Sequence, residues 1–158
     1  MSFPTVVMPV HSYIGDMMAE EAPNELENFC LEPFDMKSQG IDRTLADKVF
    51  AICDYYMQNQ VKKHSRHIYD IFKILHIVPQ TDEFKALIKE VRSVRVLTDI
   101  CPSALPDVNV PEMLNFLVEN EIYKEDYKNI TARILEEDVS YDEAIKAVKK
   151  IAASGMFE

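Results

Sequence analysis

Only three glycines, Gly15, Gly40 and Gly155, are spread over the 158 residues, and this scarcity constrains the fold more than any other feature. Tight two-residue hairpins rely on residues that accept positive φ, glycine above all, so a fold built from many short strands is disfavoured. The apolar residues recur instead at steps of three and four, the period of a helix with one buried face. We therefore expect an all-α protein, a single compact domain of about six to eight short helices with an irregular N-terminal arm. A chain of this length buries roughly 68 to 70% of the surface its unfolded form exposes, so a core forms without disulfides or metal.

The strongest local signal is near the C-terminus. Ser140 and Glu143 have the spacing of a capping box, with Val139 and Ala144 at the positions of a hydrophobic staple. A helix should begin at Tyr141 and bury Ala144, Ile145, Val148, Ile151 and Ala152, with Gly155 as its left-handed cap. Upstream, Tyr127, Ile130, Ile134 and Leu135 predict a helix over residues 124–137, and Pro111 opens another that runs to Glu119. Residues 101–110, with Pro102, Pro106 and Asp107, read as an extended connection.

In the middle of the chain, Thr44 and Asp47 resemble a helix start, and Leu45, Val49, Ile52, Cys53, Tyr56 and Met57 form a stripe. The polar run from Gln58 to His67 implies a break near residues 63–66, with Ser65 as cap of a second helix that Pro79 ends. Thr81 or Asp82 should cap a third helix bearing Phe84, Leu87, Ile88 and Val91. The expected organisation is thus an arm over residues 1–40 and a helical domain over 41–158, whose parts 41–100 and 111–155 are joined by 101–110. Pro4, Pro9, Pro23 and Pro33 divide the arm into segments that hold one or two small helices.

Charge is sorted along the chain. Residues 1–40 carry seven acids against Lys37, residues 41–100 eight acids against ten bases, and residues 101–158 twelve against six, for a net charge of −10. Opposed patches on a small body give it an oriented field and a preferred docking face. On this basis we expect a non-catalytic binding or regulatory protein of the adaptor type, acting through another protein. Three surfaces are candidates. Lys85, Lys89 and Arg92 at helical spacing, together with Lys62, Lys63 and Arg66, suit an anionic partner. Glu136, Glu137, Asp138, Asp142 and Glu143 suit a basic one. Met8, Tyr13, Ile14, Met17 and Met18 on the arm suit an apolar contact, methionine being adaptable at such surfaces.

Two alternatives stand beside this expectation. A nucleic-acid-associated factor, or an inhibitor of a nucleic-acid-binding protein, would place phosphates on the basic face, where cation contacts release counterions. A small metal-dependent enzyme would use His64, His67 and Asp70, but helical steps of about 100° splay the outer pair roughly 120° apart, which is poor for three ligands. We therefore expect no metal site and no cofactor. Glycine-rich phosphate loops and a nucleophile elbow are lacking, which argues against catalysis. Cys30, Cys53 and Cys101 are too widely spaced for a zinc site and suit reduced thiols. The apolar start of the chain has no basic residue before it and is broken by Pro4 and Pro9, so it does not resemble a signal peptide. No apolar run approaches the 18 residues that a membrane helix needs, and the expected location is the cytoplasm.

Overall fold

A computed structural model describes residues 5–158; Pro4, one of the arm's expected punctuation points, lies outside them. The described residues contain seven α-helices and one two-stranded sheet, so the protein is mostly helical. The backbone divides into two compact units, residues 1–40 and 41–158.

The first unit contains a sheet where small helices alone were expected. Strand β1 (Thr5–Val10) is followed by helix α1 (Tyr13–Glu21), a 3₁₀ turn at Pro23–Glu25 and strand β2 (Phe34–Gln39). The strands pair antiparallel with Met8 opposite Met36 and Val10 opposite Phe34. Partners across a ladder share a face, so these four apolar side chains lie together while Val7 and Lys37 lie on the other side. Glycine scarcity does not forbid this sheet, because residues 11–33 join its strands and no tight turn is needed. Ser12 caps α1 by accepting from the Gly15 N–H at 2.9 Å. Gly15 is required by close approach, since a Cβ there would lie 2.7 Å from the Leu31 carbonyl oxygen.

In the second unit, helix α2 (Ile41–Met57) is central and packs on α3 (Arg66–Leu75), α4 (Asp82–Arg95) and α5 (Val110–Glu119), while α7 (Tyr141–Ala152) packs on α3, α5 and the short α6 (Lys124–Asn129). Leu45, Val49, Phe50, Ile68, Ile71, Val91, Leu114 and Ile151 form the centre of the core. Each such side chain contributes about 1.5–3 kcal/mol by leaving water. Helix α2 starts three residues before Thr44; Asp42 lies in its first turn and accepts from the Arg43 N–H at 2.7 Å. The helix expected over 124–137 stops at Asn129 and gives way to a 3₁₀ turn at Thr131–Arg133, leaving Ile134 exposed.

Caps fall where residue chemistry placed them. Thr81 accepts from the Phe84 N–H at 3.3 Å, Asn109 from Glu112 at 3.1 Å and Ser140 from Glu143 at 3.2 Å. Ser140→Ala is expected to lower stability by about 1 kcal/mol, measured as a shift in the denaturation midpoint. Gly155 follows α7 at φ 70°.

Two arginines tie α4 to its surroundings. Arg92 donates to the carbonyls of Ala104, Leu105 and Val108 at 3.1, 2.7 and 2.7 Å, which fastens the 101–110 connection. Arg95 bridges Asp47 at 2.9 Å and Asp54 at 2.7 Å on α2, and Asp54 also accepts from the Ser103 N–H at 2.8 Å. Asp47 in turn receives Arg43 at 3.2 Å.

Candidate active site

Titratable side chains converge where α2 faces the start of α3. Lys48 stands at the edge of the α2 apolar stripe, and its Nζ lies 2.8 Å from Asp70 Oδ2 on α3. His67, one turn before Asp70, places Nδ1 3.3 Å from the same oxygen and 3.4 Å from Lys48 Nζ. The imidazole therefore donates to the carboxylate in one tautomer and accepts from the ammonium in the other. The Lys48 and Asp70 side chains are 29% and 31% exposed, whereas His67 is 9% exposed: two charges reach solvent while the ring behind them is buried. Burial disfavours the Asp70 carboxylate, but hydrogen bonds from His67 and Lys48, with their positive charge, outweigh it and hold its pKa below the ordinary value.

An aromatic wall adjoins the cluster. The Tyr55 ring lies parallel to His64 at 3.5 Å between centroids and to His67 at 5.7 Å. His64 precedes α3 rather than belonging to it, and its Nδ1 is buried without a partner. Its pKa is lowered, first by burial and then by His67 and Arg66.

The loop that delivers these residues is fixed from α6. Asp126 accepts from the Lys63 N–H at 2.7 Å and the Ser65 N–H at 3.1 Å, and Ser65 Oγ meets Thr131 Oγ1 at 2.7 Å in the interior. Ser65 thus occupies the N-cap position of α3 but spends its hydroxyl on Thr131. Lys63 is held at φ 71°, a left-handed conformation that costs a non-glycine residue about 1–2 kcal/mol. Burial raises the Asp126 pKa, but the Lys63 and Ser65 hydrogen bonds and His64 more than offset it, so the net shift is downward. A depressed carboxylate stabilises the fold above its unfolded pKa, and that contribution fades as pH falls through the folded value. Asp126→Ala is expected to cost about 2 kcal/mol at neutral pH and to lose less further stability on acidification than the parent, as thermal melts in a pH series will show.

The other residues named from sequence are distributed as follows. Lys62, Lys63 and Arg66 are exposed around the site. Lys89 is exposed on α4, but Lys85 is half-buried and Arg92 is occupied by backbone carbonyls, so the three do not form one free basic face. Glu136, Glu137, Asp138, Asp142 and Glu143 are exposed at and before α7; Glu137 pairs with Lys73 at 2.8 Å and Asp142 with Lys124 at 3.5 Å. On the first unit Met8, Tyr13, Ile14 and Met17 are exposed and Met18 is half-buried. His64, His67 and Asp70 do not converge as metal ligands: the two imidazoles stack with Tyr55, and among the described residues no group of three His, Cys, Asp or Glu side chains is placed to hold a metal ion. Sequence reasoning missed Lys48 and Tyr55. The available signal was a lysine beside a buried stripe, three residues after Leu45, where a long cation needs a partner.

A lysine, a carboxylate and an imidazole thus meet at an edge of the helical unit that solvent reaches. Residues 1–150 match the family model described as nucleotidyl transferase AbiEii toxin, Type IV TA system, and the chain belongs to this family. A comparison with curated proteins and one with solved structures each found no match. The family overturns the expectation of a non-catalytic adaptor, because its described activity is the transfer of nucleotidyl groups. That expectation rested on the sorted charge and on the lack of glycine loops and a nucleophile elbow, and local motifs of that kind do not report a site assembled by packing. A toxin–antitoxin system has a second component, in keeping with the expected partner protein. Among the described residues no helix is long and apolar enough to cross a membrane.

Proposed function

We propose that this chain acts in nucleotidyl transfer through the Lys48–His67–Asp70 cluster. The observation that carries this reading is the 2.8 Å contact between Lys48 and Asp70 at a site both side chains share with solvent. In such a transfer an acceptor oxygen attacks the α-phosphorus of a nucleoside triphosphate, the bond to the bridging oxygen breaks and pyrophosphate leaves. Lys48 supplies a point charge where negative charge gathers on the phosphates. Asp70 aims the ammonium, and His67 fixes the carboxylate from behind. Lys62, Lys63 and Arg66 lie where further phosphates of an anionic acceptor would pass, and Tyr55 and His64 give the site a rigid wall. Incubation of the chain with a labelled nucleoside triphosphate and total cellular RNA, protein and small-molecule fractions tests the reading: label should enter one fraction with the parent and none with Lys48→Met. Equal transfer by both would overturn it.

A further inference from the structure

A groove of about 870 Å³ opens between α3 and α7, and Lys48, His67 and Asp70 do not line it. Its apolar surface comes from Phe72 and Leu75 on α3 together with Val139 and Ala147, and Phe72 and Leu75 are only partly covered by the core. Lys146 and Lys150, exposed and one helical turn apart on α7, stand on one wall. Glu137 and Glu143 stand on the rim, where Lys73 donates to both oxygens of Glu137 at 3.0 and 2.8 Å. Lys73 is paired with Glu137, and Lys146 and Lys150 form no ion pair among the described residues.

We propose that this groove binds a small phosphomonoester with a planar, apolar body, of the nucleoside monophosphate class, at a second site separate from the transfer centre. The volume lies in the range of small-molecule sites, which are apolar with a few placed polar groups. A phosphomonoester carries about −1.5 to −2 charge at neutral pH, and with Lys73 and Glu137 paired to each other, Lys146 and Lys150 outweigh Glu143 and leave the groove with a surplus of positive charge to meet it. The planar body lies against Phe72 and Leu75, and the carboxylates of Glu137 and Glu143 accept from hydroxyl or amino groups. The same carboxylates decide against other anions. A nucleic-acid strand needs a continuing track of cations, and here the track ends in acids. A triphosphate brings more negative charge than two lysines balance, and the excess meets Glu137 and Glu143.

Titration of the isotopically labelled chain with adenosine monophosphate, followed by amide NMR, tests this. Saturable shifts are expected at Phe72, Leu75, Ala147 and Lys150, with weaker binding of adenosine triphosphate and of inorganic phosphate. Lys146→Glu combined with Lys150→Glu should weaken the monophosphate roughly tenfold or more, the worth of one good contact, while the amide spectrum keeps its dispersion. Both residues are exposed, so the fold does not depend on them. Shifts confined to Lys48–Asp70, absence of saturation, tighter binding of the triphosphate, or tighter binding of a single-stranded oligonucleotide at the groove would each overturn the proposal. Lys48→Ala should leave monophosphate shifts at the groove unchanged, so loss of the groove site and failure of the transfer reading are separable results.

Discussion

Lys48→Ala is expected to reduce nucleotidyl transfer by roughly 10²–10³-fold, the usual effect of removing one preorganised charge from a site of developing negative charge. Asp70→Ala should fall as far, because it leaves the Lys48 ammonium without the carboxylate 2.8 Å away that aims it. Since the two act as one unit, the double variant should be little worse than either single one. Lys48→Arg should recover little, as a planar fork does not occupy the place of a compact ammonium. These side chains are about one third exposed, so circular dichroism and melting of each variant should stay near the parent. Labelled transfer measured alongside those melts checks the claim, and activity retained by folded Lys48→Ala would overturn it.

Asp54→Ala is expected to be the most destabilising single change of a polar residue in this chain. Asp54 is 4% exposed and accepts from both Arg95 and the Ser103 backbone. Its removal takes one of two carboxylates from the half-buried Arg95 guanidinium above the Phe50 ring, leaving Asp47 alone to pair it, and orphans the buried Ser103 N–H. Breaking one side of a buried pair costs about 3–5 kcal/mol, and at this chain length about 1 kcal/mol moves the melting temperature by 2–4 °C. The midpoint should therefore drop by about 10 °C or more, whereas Arg95→Ala combined with Asp54→Ala should fall less than the two single losses added. Strict additivity in that double-mutant cycle would deny the coupling.

Much of the fold was legible because its signals are local. Ser140, Thr81 and Pro111 mark helix starts by their own chemistry, and the stripes on α2 and α7 bury most of the residues their period selects, with Tyr56 and Ile145 half-buried and Met57 exposed. Non-local choices were not legible. Antiparallel pairing of Thr5–Val10 with Phe34–Gln39 depends on register between segments separated by a helix, and nothing within either segment states it. Just past the end of α6, Thr131 turns inward to meet Ser65, a contact that periodicity does not encode. The candidate site was legible only in fragments. His67 and Asp70 share a helix and were grouped by spacing with His64, but only as a poor set of metal ligands, because their neighbour Lys48 arrives from α2. Arg92 was misassigned for a related reason: its helical position is outward, yet three backbone carbonyls of the 101–110 connection come to meet it.

The tether from Asp126 to Lys63 and Ser65 carries a consequence for biosynthesis. Residues that shape the proposed catalytic edge emerge from the ribosome early, but the carboxylate that locks their loop emerges long after them. A partly translated chain holds the reactive side chains without the clasp that arranges them. The loop before α3 is thereby left without its anchor until translation has passed α6.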